Sequence, residues 1–537
     1  MKKFKYILPV FIAASIALSS CDDFMDVEPK TNITTENYYR KVEDAERALI
    51  AAYDGWQRSS ANRGTTFFIA STLMSDECFG GTGNTDGRQY QVINRFDISQ
   101  SSGDVNIFNG IWGDYYAGIF RCNVLLQKLD AIDWGNNTSI RNRIEGETRA
   151  LRAIMYFEMV RLFGNIPLLT EPTVDNLPQA NPKDVFALII EDFKFAEANI
   201  PADVYPKANA SKNDGRMTTY AAKALIARVH LFYKGYENGA YDPGLISDND
   251  VLRGLEDIIA SNQFGLVPEF KNLWPAASSI PVQGVLAFVS TYAGDGNIET
   301  VLAQKFNTMT NDSNRWLPLM GMRNANHSPY GRGWGACTVH PKMWGSFEEN
   351  DSRREASIIN LVEEGIEPIF NIADQREYTG YTVKKYTPMS YYNGASAARE
   401  DGSGDFATIQ HQDFIVMRYA DVLLMAAELG SANAQEYFDR VRARAGLGSK
   451  VVTKENIMQE RFFEFAFEAQ RYWDLLRQGV DYAASVIAED GVAVLSGGNP
   501  ENLVISAENI RSKKGLCQIP QIQYSRSNGV LLQNPGW

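Results

Sequence analysis

The chain has 537 residues, of which 22% are charged and 45% hydrophobic, and its net charge is −13. That length holds roughly two to four ordinary domains, or one large repeat-built body with a sizeable core. The acidic balance argues against nucleic acid or an anionic lipid surface as a partner, since both demand an excess of Lys and Arg.

The N-terminus reads as an address. Lys2, Lys3 and Lys5 form a positive region, and residues 6–18 form an apolar run too short for a transmembrane helix. Leu18-Ser19-Ser20-Cys21 then has the lipobox pattern. Cleavage before Cys21 and its acylation are expected, which gives a lipid anchor. No second apolar run of about 18 residues follows. The remaining cysteines, Cys78, Cys122, Cys337 and Cys517, show no CxxC or zinc spacing and are expected to be buried free thiols.

The body opens with a predicted helix over 42–59, followed by a loop-rich stretch over 65–106. The glycines at 80–87 lack the lysine and the strand–helix context of a phosphate loop, so a flexible loop is expected there. Helices are expected at 108–129, 140–163, 183–199, 218–234 and 249–261. The second carries E-G-E-T-R-A-L-R-A-I-M-Y-F-E-M-V-R-L-F-G-N-I-P-L-L over 145–169. At about 100° per residue, Leu151, Met155, Met159 and Leu162 fall on one side, with Ala150, Ala153, Phe157 and Val160 opposite. Two apolar faces predict an inner helix of a stacked helical array. Glu145–Arg149 and Glu158–Arg161 are spaced for pairing along it. Gly164 suits a left-handed helix end, and Pro167 cannot continue the helix.

Residues 264–410 change character. Gly, Pro, Asn and Ser are frequent, helical periodicity is poor, and alternating runs such as 381–386 predict short strands. Helices are expected again at 414–429, 434–445 and 454–478. The last contains Glu464, Glu468, Arg471 and Asp474, spaced for pairing along one edge, a pattern that locks helices together rather than one that does catalysis. Glu348, Glu349 and Asp351 lack any signature that sets two carboxylates across a cleft. His230, His327, His340 and His411 have no metal spacing, and no G-x-S-x-G occurs. No enzyme activity, cofactor or metal is expected.

The chain resembles the SusD/RagB family of outer-membrane lipoproteins. The resemblance rests on the lipobox, the helix ending F-G-N-I-P-L at 163–168, and F-E-E-N-D-S-R-R at 347–354. It extends through R-Y-A-D-V-L-L-M-A-A-E at 418–428, E-R-F-F-E-F-A-F-E-A-Q-R-Y-W-D-L-L-R-Q-G at 460–479, and the closing I-P and Q-N-P-G-W. It implies a mainly α, tetratricopeptide-like helical-pair scaffold with a large loop-rich insertion containing short strands. The expected division is a signal peptide over 1–20, a tether over 21–40, a helical region over 41–263 and a C-terminal region over 264–537. Within the last, 264–410 is the ligand-binding insertion, 411–479 is helical and 480–537 closes the chain. The implied role is a cell-surface lipoprotein on the outer membrane. It captures a nutrient, usually an oligosaccharide, for a SusC-like TonB-dependent β-barrel transporter. A tetratricopeptide-like scaffold for proteins or peptides is the alternative.

A neutral glycan needs flat aromatic faces with planar amides and charged groups around them. Two loop segments supply that mixture. One carries Asp76, Asn84, Arg88 and Tyr90; the other carries Tyr292, Trp316, Asn326, Tyr330, Arg332 and Trp334. Trp334 lies in G-R-G-W-G, where the glycines are expected to leave its indole uncovered, and Trp334 with Tyr330 is expected to form a sugar-stacking platform.

Overall fold

The computed structural model describes residues 38–61, 64–203, 215–307 and 314–537. The signal segment, Cys21 and most of the expected tether lie outside the described residues. Helix makes up about 47% of the structure, well above the ~30–35% usual in soluble domains.

The first half supplies α1 (Val42–Ala61), α2 (Phe67–Leu73), α3 (Gln89–Arg95), α4 (Asn109–Lys128), α5 (Thr138–Phe163), α6 (Pro182–Asn199), α7 (Thr219–Gly235) and α8 (Asp248–Ala260). The long helices pack on their neighbours in the chain, α4 on α5, α5 on α6, α6 on α7 and α7 on α8, while α1 lies on α4 and α5. Their starts follow from side-chain caps. Asn181 accepts from Lys183 N with Pro182 in the first turn, Thr218 accepts from Ala221 N, and Ser247 forms a capping box with Asp250. The two-faced pattern of α5 is realised: Leu151, Met155 and Ala153 are fully buried, and Phe157 nearly so. Gly164 ends it at φ +67 and ψ −103, a conformation open to glycine though not the left-handed helix. A Cβ there would lie 2.7 Å from Leu516 Cδ1.

Of the two pairs expected on α5, Arg149 Nη2 meets Glu145 Oε1 at 2.8 Å. Glu158 instead accepts from Tyr115 Oη at 2.6 Å. Arg161 lies among the rings of Phe157, Phe67 and Trp473, at 3.8, 4.5 and 4.9 Å.

The stretch over 65–106 is not only loop, because Thr66 caps α2, and α3 forms at its far side. β1 (Cys78–Gly80) lies between α2 and α3, and short strands run through 264–410 as expected: β2 (Ser279–Pro281), β3 (Phe288–Ser290), β4 (Thr300–Gln304), β5 (Cys337–Val339), β6 (Ile358–Asn360) and β7 (Tyr381–Val383). Strand is not confined to that region. β8 (Phe414–Arg418) pairs antiparallel with β4, and the longest strands, β9 (Glu489–Ser496) and β10 (Asn499–Ile505), form a hairpin near the C-terminus. β1, β5, β7 and β6 make a four-stranded sheet in that order. One hydrophobic cluster runs from Ala45 to Leu531, so both halves of the chain share it. Cys78, Cys122, Cys337 and Cys517 are buried free thiols.

Two expected helices are broken. The one over 414–429 begins only at α9 (Tyr419–Glu428), because 414–418 is spent on sheet pairing. After α10 (Ala434–Arg444), the one over 454–478 divides into α11 (Lys454–Glu464) and α12 (Arg471–Leu476), with Phe467 at φ +60 and Ala469 at φ +58 between them. Tertiary ionic contacts take the groups a helix would use. The Glu464 carbonyl accepts from Lys385 Nζ at 3.0 Å and Arg418 Nη2 at 2.9 Å, and Phe467 N donates to Glu77 Oε1 at 3.0 Å. The acids and bases of this segment do lock elements together, but across the fold rather than along one edge. Arg418 donates to Glu468 Oε2 (2.8 Å), Glu299 Oε1 (2.5 Å) and Glu464 Oε1 (2.9 Å), and Arg444 joins Glu299 and Glu464. Arg353 of the F-E-E-N-D-S-R-R segment pairs with Asp351 and Glu460, and Arg442 with Glu460 and Glu348. Arg461 holds Asp421 and Asp474.

The web makes stability depend on pH with two signs. Burial alone would raise the Glu464 carboxyl, but Arg444, Arg418 and Arg353 hold it well below its ordinary value. Arg461 and Arg228 do the same for Asp421 against burial, as Arg461 and Arg477 do for Asp474. Their contribution is present above the ordinary carboxyl range and lost as pH falls below it. Burial pushes Glu77 up to about 8 and Glu158 and Glu377 to about 7. These groups bind protons more tightly in the fold, so stability declines as pH rises through that window. The melting temperature should therefore peak near about pH 5, falling below about pH 4 and declining toward about pH 8. Circular dichroism melts across that range check it, and a monotonic rise to pH 8 would contradict it.

Candidate functional site

β1 pairs with β5 in antiparallel register, Cys78 opposite Val339 and Gly80 opposite Cys337. That pairing sets the loop after β1 beside the loop before β5, and so joins the two segments the sequence offers for a ligand. Gly81 N donates to Ala336 O at 2.8 Å, and Thr82 N to Gly335 O at 2.5 Å. A third segment, 374–376, clasps both. Gln375 Nε2 donates to Thr82 O (3.2 Å) and Gly335 O (3.1 Å). Arg376, itself buried, donates to the carbonyls of Asn84 (2.8 Å), Asp86 (2.9 Å) and Gly87 (3.1 Å). The glycine-rich loop over 80–87 is therefore held in place.

On the outer side of this clasp lies an array of planar groups. Asp374 accepts from Arg323 Nε at 3.1 Å and Asn324 Nδ2 at 2.5 Å, and Arg323 Nη1 lies 3.2 Å from Asp86. Burial raises the Asp374 carboxyl, but the hydrogen bonds from Arg323 and Asn324, with the charges of Arg323 and Arg332, together keep it below its ordinary value. Asn324 Oδ1 accepts from Arg332 Nε (3.0 Å) and Nη2 (2.8 Å). The Arg332 guanidinium stands 4.9 Å over the Phe406 ring, and Phe406 meets Trp334 edge to face at 6.1 Å. Asn84, Arg88, Asn324, Asn326 and Arg332 are exposed, and Trp334 and Phe406 are half-buried.

Five of the ten expected site residues thus reach this surface or its margin: Trp334, Arg332, Asn326, Asn84 and Arg88. Asn326 spends its amide on Gly394 O at 2.6 Å. The other five are turned inward. Trp316 is fully buried, 4.3 Å from the Phe68 ring and 5.0 Å from Tyr386. Asp76 is buried and bound twice by Arg471, at 2.7 and 3.0 Å. Tyr90 is buried with its hydroxyl on Gly64 O (3.0 Å). Tyr330 is 5% exposed and donates to Glu364 Oε2 at 2.6 Å, so it does not share a platform with Trp334. The half-buried Tyr292 gives its hydroxyl to Asp295.

The glycines around Trp334 do not serve to uncover it. A Cβ at Gly333 would lie 2.6 Å from Pro318 O, and one at Gly335 would lie 2.5 Å from Gln375 Oε1. They permit close backbone packing. Phe406, Arg323, Asp374, Gln375 and Arg376 were not expected. Phe406 sits in D-G-S-G-D-F at 401–406, an aromatic among small polar residues, the same signal that marks Trp334. Asp374-Gln375-Arg376 carries no such signal. Glu348 and Asp351 are each committed to an arginine. Among the described residues no group of three His, Cys, Asp or Glu is arranged to hold a metal ion.

A SusD family model matches residues 367–537, and a second, SusD-like model, described as starch-binding and associating with the outer membrane, matches 23–231. The chain belongs to the SusD/RagB family. SusD-like protein P2 of Formosa agariphila is 25% identical to it over 501 residues, covering 89% of this chain and 91% of that one. A SusD-like protein of Bacteroides ovatus is 23% identical over 506 residues, covering 87% and 82%. Among solved structures, surface glycan-binding protein A of Bacteroides thetaiotaomicron, in complex with laminarihexaose, superposes with a TM-score of 0.72 at 23% identity, covering 92% of this chain and 99% of that one. A laminarin-binding SusD-like protein gives 0.70 at 25%, covering 93% and 100%. The tetratricopeptide-like helical fold of this SusD/RagB chain is common to them.

Two sets of variants separate surface from scaffold. Trp316→Ala should cost ~3–5 kcal/mol of stability, and the half-buried Trp334→Ala roughly half of that or less. Chemical denaturation measures both, and equal losses would place Trp334 in the core. Arg376→Met should keep the fold but release the 84–87 carbonyls. Amide exchange at 83–88 is expected to rise by about tenfold or more, as when one or two hydrogen bonds of ~1 kcal/mol each are lost. Arg376→Lys should restore part of the protection. Unchanged exchange in Arg376→Met would show that the clasp does not set the loop.

Proposed function

We propose that this SusD/RagB protein is a cell-surface glycan-binding lipoprotein. It is anchored in the outer membrane through acylated Cys21 and delivers oligosaccharide to a SusC-like TonB-dependent β-barrel transporter. The observation that carries the reading is the Trp334–Phe406–Arg332–Asn324–Asp374 array, set on the loop face of a fold shared along nearly its whole length with glycan binders. Aromatic faces suit the CH patches of a sugar, while guanidinium, amide and carboxylate groups suit its hydroxyls. The array holds charge and hydrogen-bonding groups but no nucleophile poised beside a base, so binding without turnover is the chemistry assigned to it. Two structural neighbours are named for laminarin or its hexasaccharide, which makes laminarin the first glycan to test. Among the described residues no helix is long and apolar enough to cross a membrane, so uptake is assigned to the separate barrel.

Laminarin and a panel of neutral polysaccharides titrated into the protein lacking residues 1–21 should give saturable binding with no shortening of the glycan. Trp334→Ala should weaken binding by ~2 kcal/mol, about thirtyfold. Extraction in mild detergent should bring down a β-barrel partner. Capture of peptides with no affinity for any polysaccharide would favour the scaffold reading instead.

A further inference from the structure

The β9–β10 hairpin borders an open cavity of about 350 Å³ beside Tyr378 and Thr379. Its walls combine the apolar surfaces of Tyr378, Val494 and Pro500 with the polar groups of Thr379, Glu501 and Asn502. None of the residues of the Trp334 array lines it.

The cavity is preformed. Tyr378 N donates to Leu495 O at 2.7 Å and Leu495 N to Tyr378 O at 3.0 Å, which seals one wall to the hairpin. Arg95 ties Glu377 (2.5 Å) to Glu501 (3.2 Å) behind it. Tyr378 is 7% exposed, and its hydroxyl has no partner within the protein. The Tyr378 ring packs on Phe370 at 5.3 Å, so this wall is anchored in the core behind the pocket.

The hairpin that borders the cavity is joined to the clasp under the array. Gly497, in the turn between β9 and β10, donates its N–H to Gln375 O at 3.0 Å. The Asn84 amide packs on the same glycine so closely that a Cβ there would lie 2.4 Å from Asn84 Nδ2. The hairpin turn is therefore joined to the clasp that carries the candidate face.

We propose that the hairpin cavity is a second subsite, taking a neutral sugar residue of the same glycan chain whose other residues lie on the Trp334–Phe406 face. The inference rests on the glycan-binding reading above. Pro500 and Ala493, both exposed, offer apolar surface to a sugar's CH groups, and the Asn502 amide and Glu501 carboxylate meet its hydroxyls. The carboxylate of Glu501 disfavours uronic or sulfated residues. Occupying both places makes the second contact intramolecular, so long chains gain affinity that short ones do not.

Calorimetric titration of laminarin and of laminaritriose tests it. Ala493 lines the cavity and is exposed, so Ala493→Trp fills the cavity without entering the core. The expected result is laminarin binding about tenfold weaker with laminaritriose binding unchanged within about twofold. Asn502→Ala should weaken laminarin about threefold in the same pattern and carries the test if the tryptophan unfolds the hairpin. Unchanged laminarin affinity in both variants overturns the inference while leaving the glycan reading in place. A parallel loss for laminaritriose overturns it as well. A wild-type protein that binds neither these probes nor any polysaccharide of the panel overturns the glycan reading and this inference with it.

Discussion

The buried guanidinium of Arg418, at the end of β8, gathers separate segments of the second half of the chain, and the fold there is arranged around keeping its charge neutralised. It is 2% exposed and binds carboxylates from three places in the chain: Glu299 before β4, Glu464 at the end of α11, and Glu468 in the break that follows. An unpaired buried charge is intolerable, and removing one partner from such a web leaves the others exposed to the same penalty. Each acid must therefore arrive together with its base, so the web specifies one packing of these segments rather than adding much net stability. It also explains why a helix-forming sequence breaks after Glu464. The Glu464 carbonyl and the Phe467 N–H are claimed by Arg418, Lys385 and Glu77.

From that locked scaffold the loops gain order. Glu77 accepts from Phe467 N, and the neighbouring Asp76 pairs with Arg471, so β1 is fastened at its root to the segment between α11 and α12. β1 in turn pairs with β5, and the residues beyond both strands form the candidate face. The residues nearest the web, Asp76 and Trp316, are structural. Those farther out, Asn84, Arg332 and Trp334, have side chains left over for a ligand. Polar groups inside are consumed by partners, and only past the last ladder hydrogen bond are they free to face solvent.

The face is held by hydrogen bonds more than by apolar packing. Gln375 and Arg376 secure loop carbonyls, and the Asp374–Asn324–Arg332 chain fixes the orientation of planar groups before any ligand arrives. A surface ordered in this way loses little entropy on binding. The glycines at 333 and 335 belong to the same design, since each lies where a side chain would strike a neighbouring segment.

The sequence by itself determined the six long helices of the first half (α1 and α4–α8), their order and the two-faced burial of α5, but not the short α2 and α3, because periodicity over several turns is a local property. Its long motifs determined the family, and residue type together with loop context placed Trp334, Arg332 and Asn84 among the candidates. Only the tertiary structure decided which aromatics face outward. Trp316 and Trp334 both lie in the same loop-rich insertion, yet one is packed on Phe68 and Tyr386 and the other edges onto Phe406. It alone brought 80–87, 321–335 and 374–376 together, and it alone broke the helices expected over 414–429 and 454–478. Strand pairing and buried charge pairs join residues far apart in the chain. Their energies depend on partners that no local window contains, and where those partners are charged and buried they override local propensity.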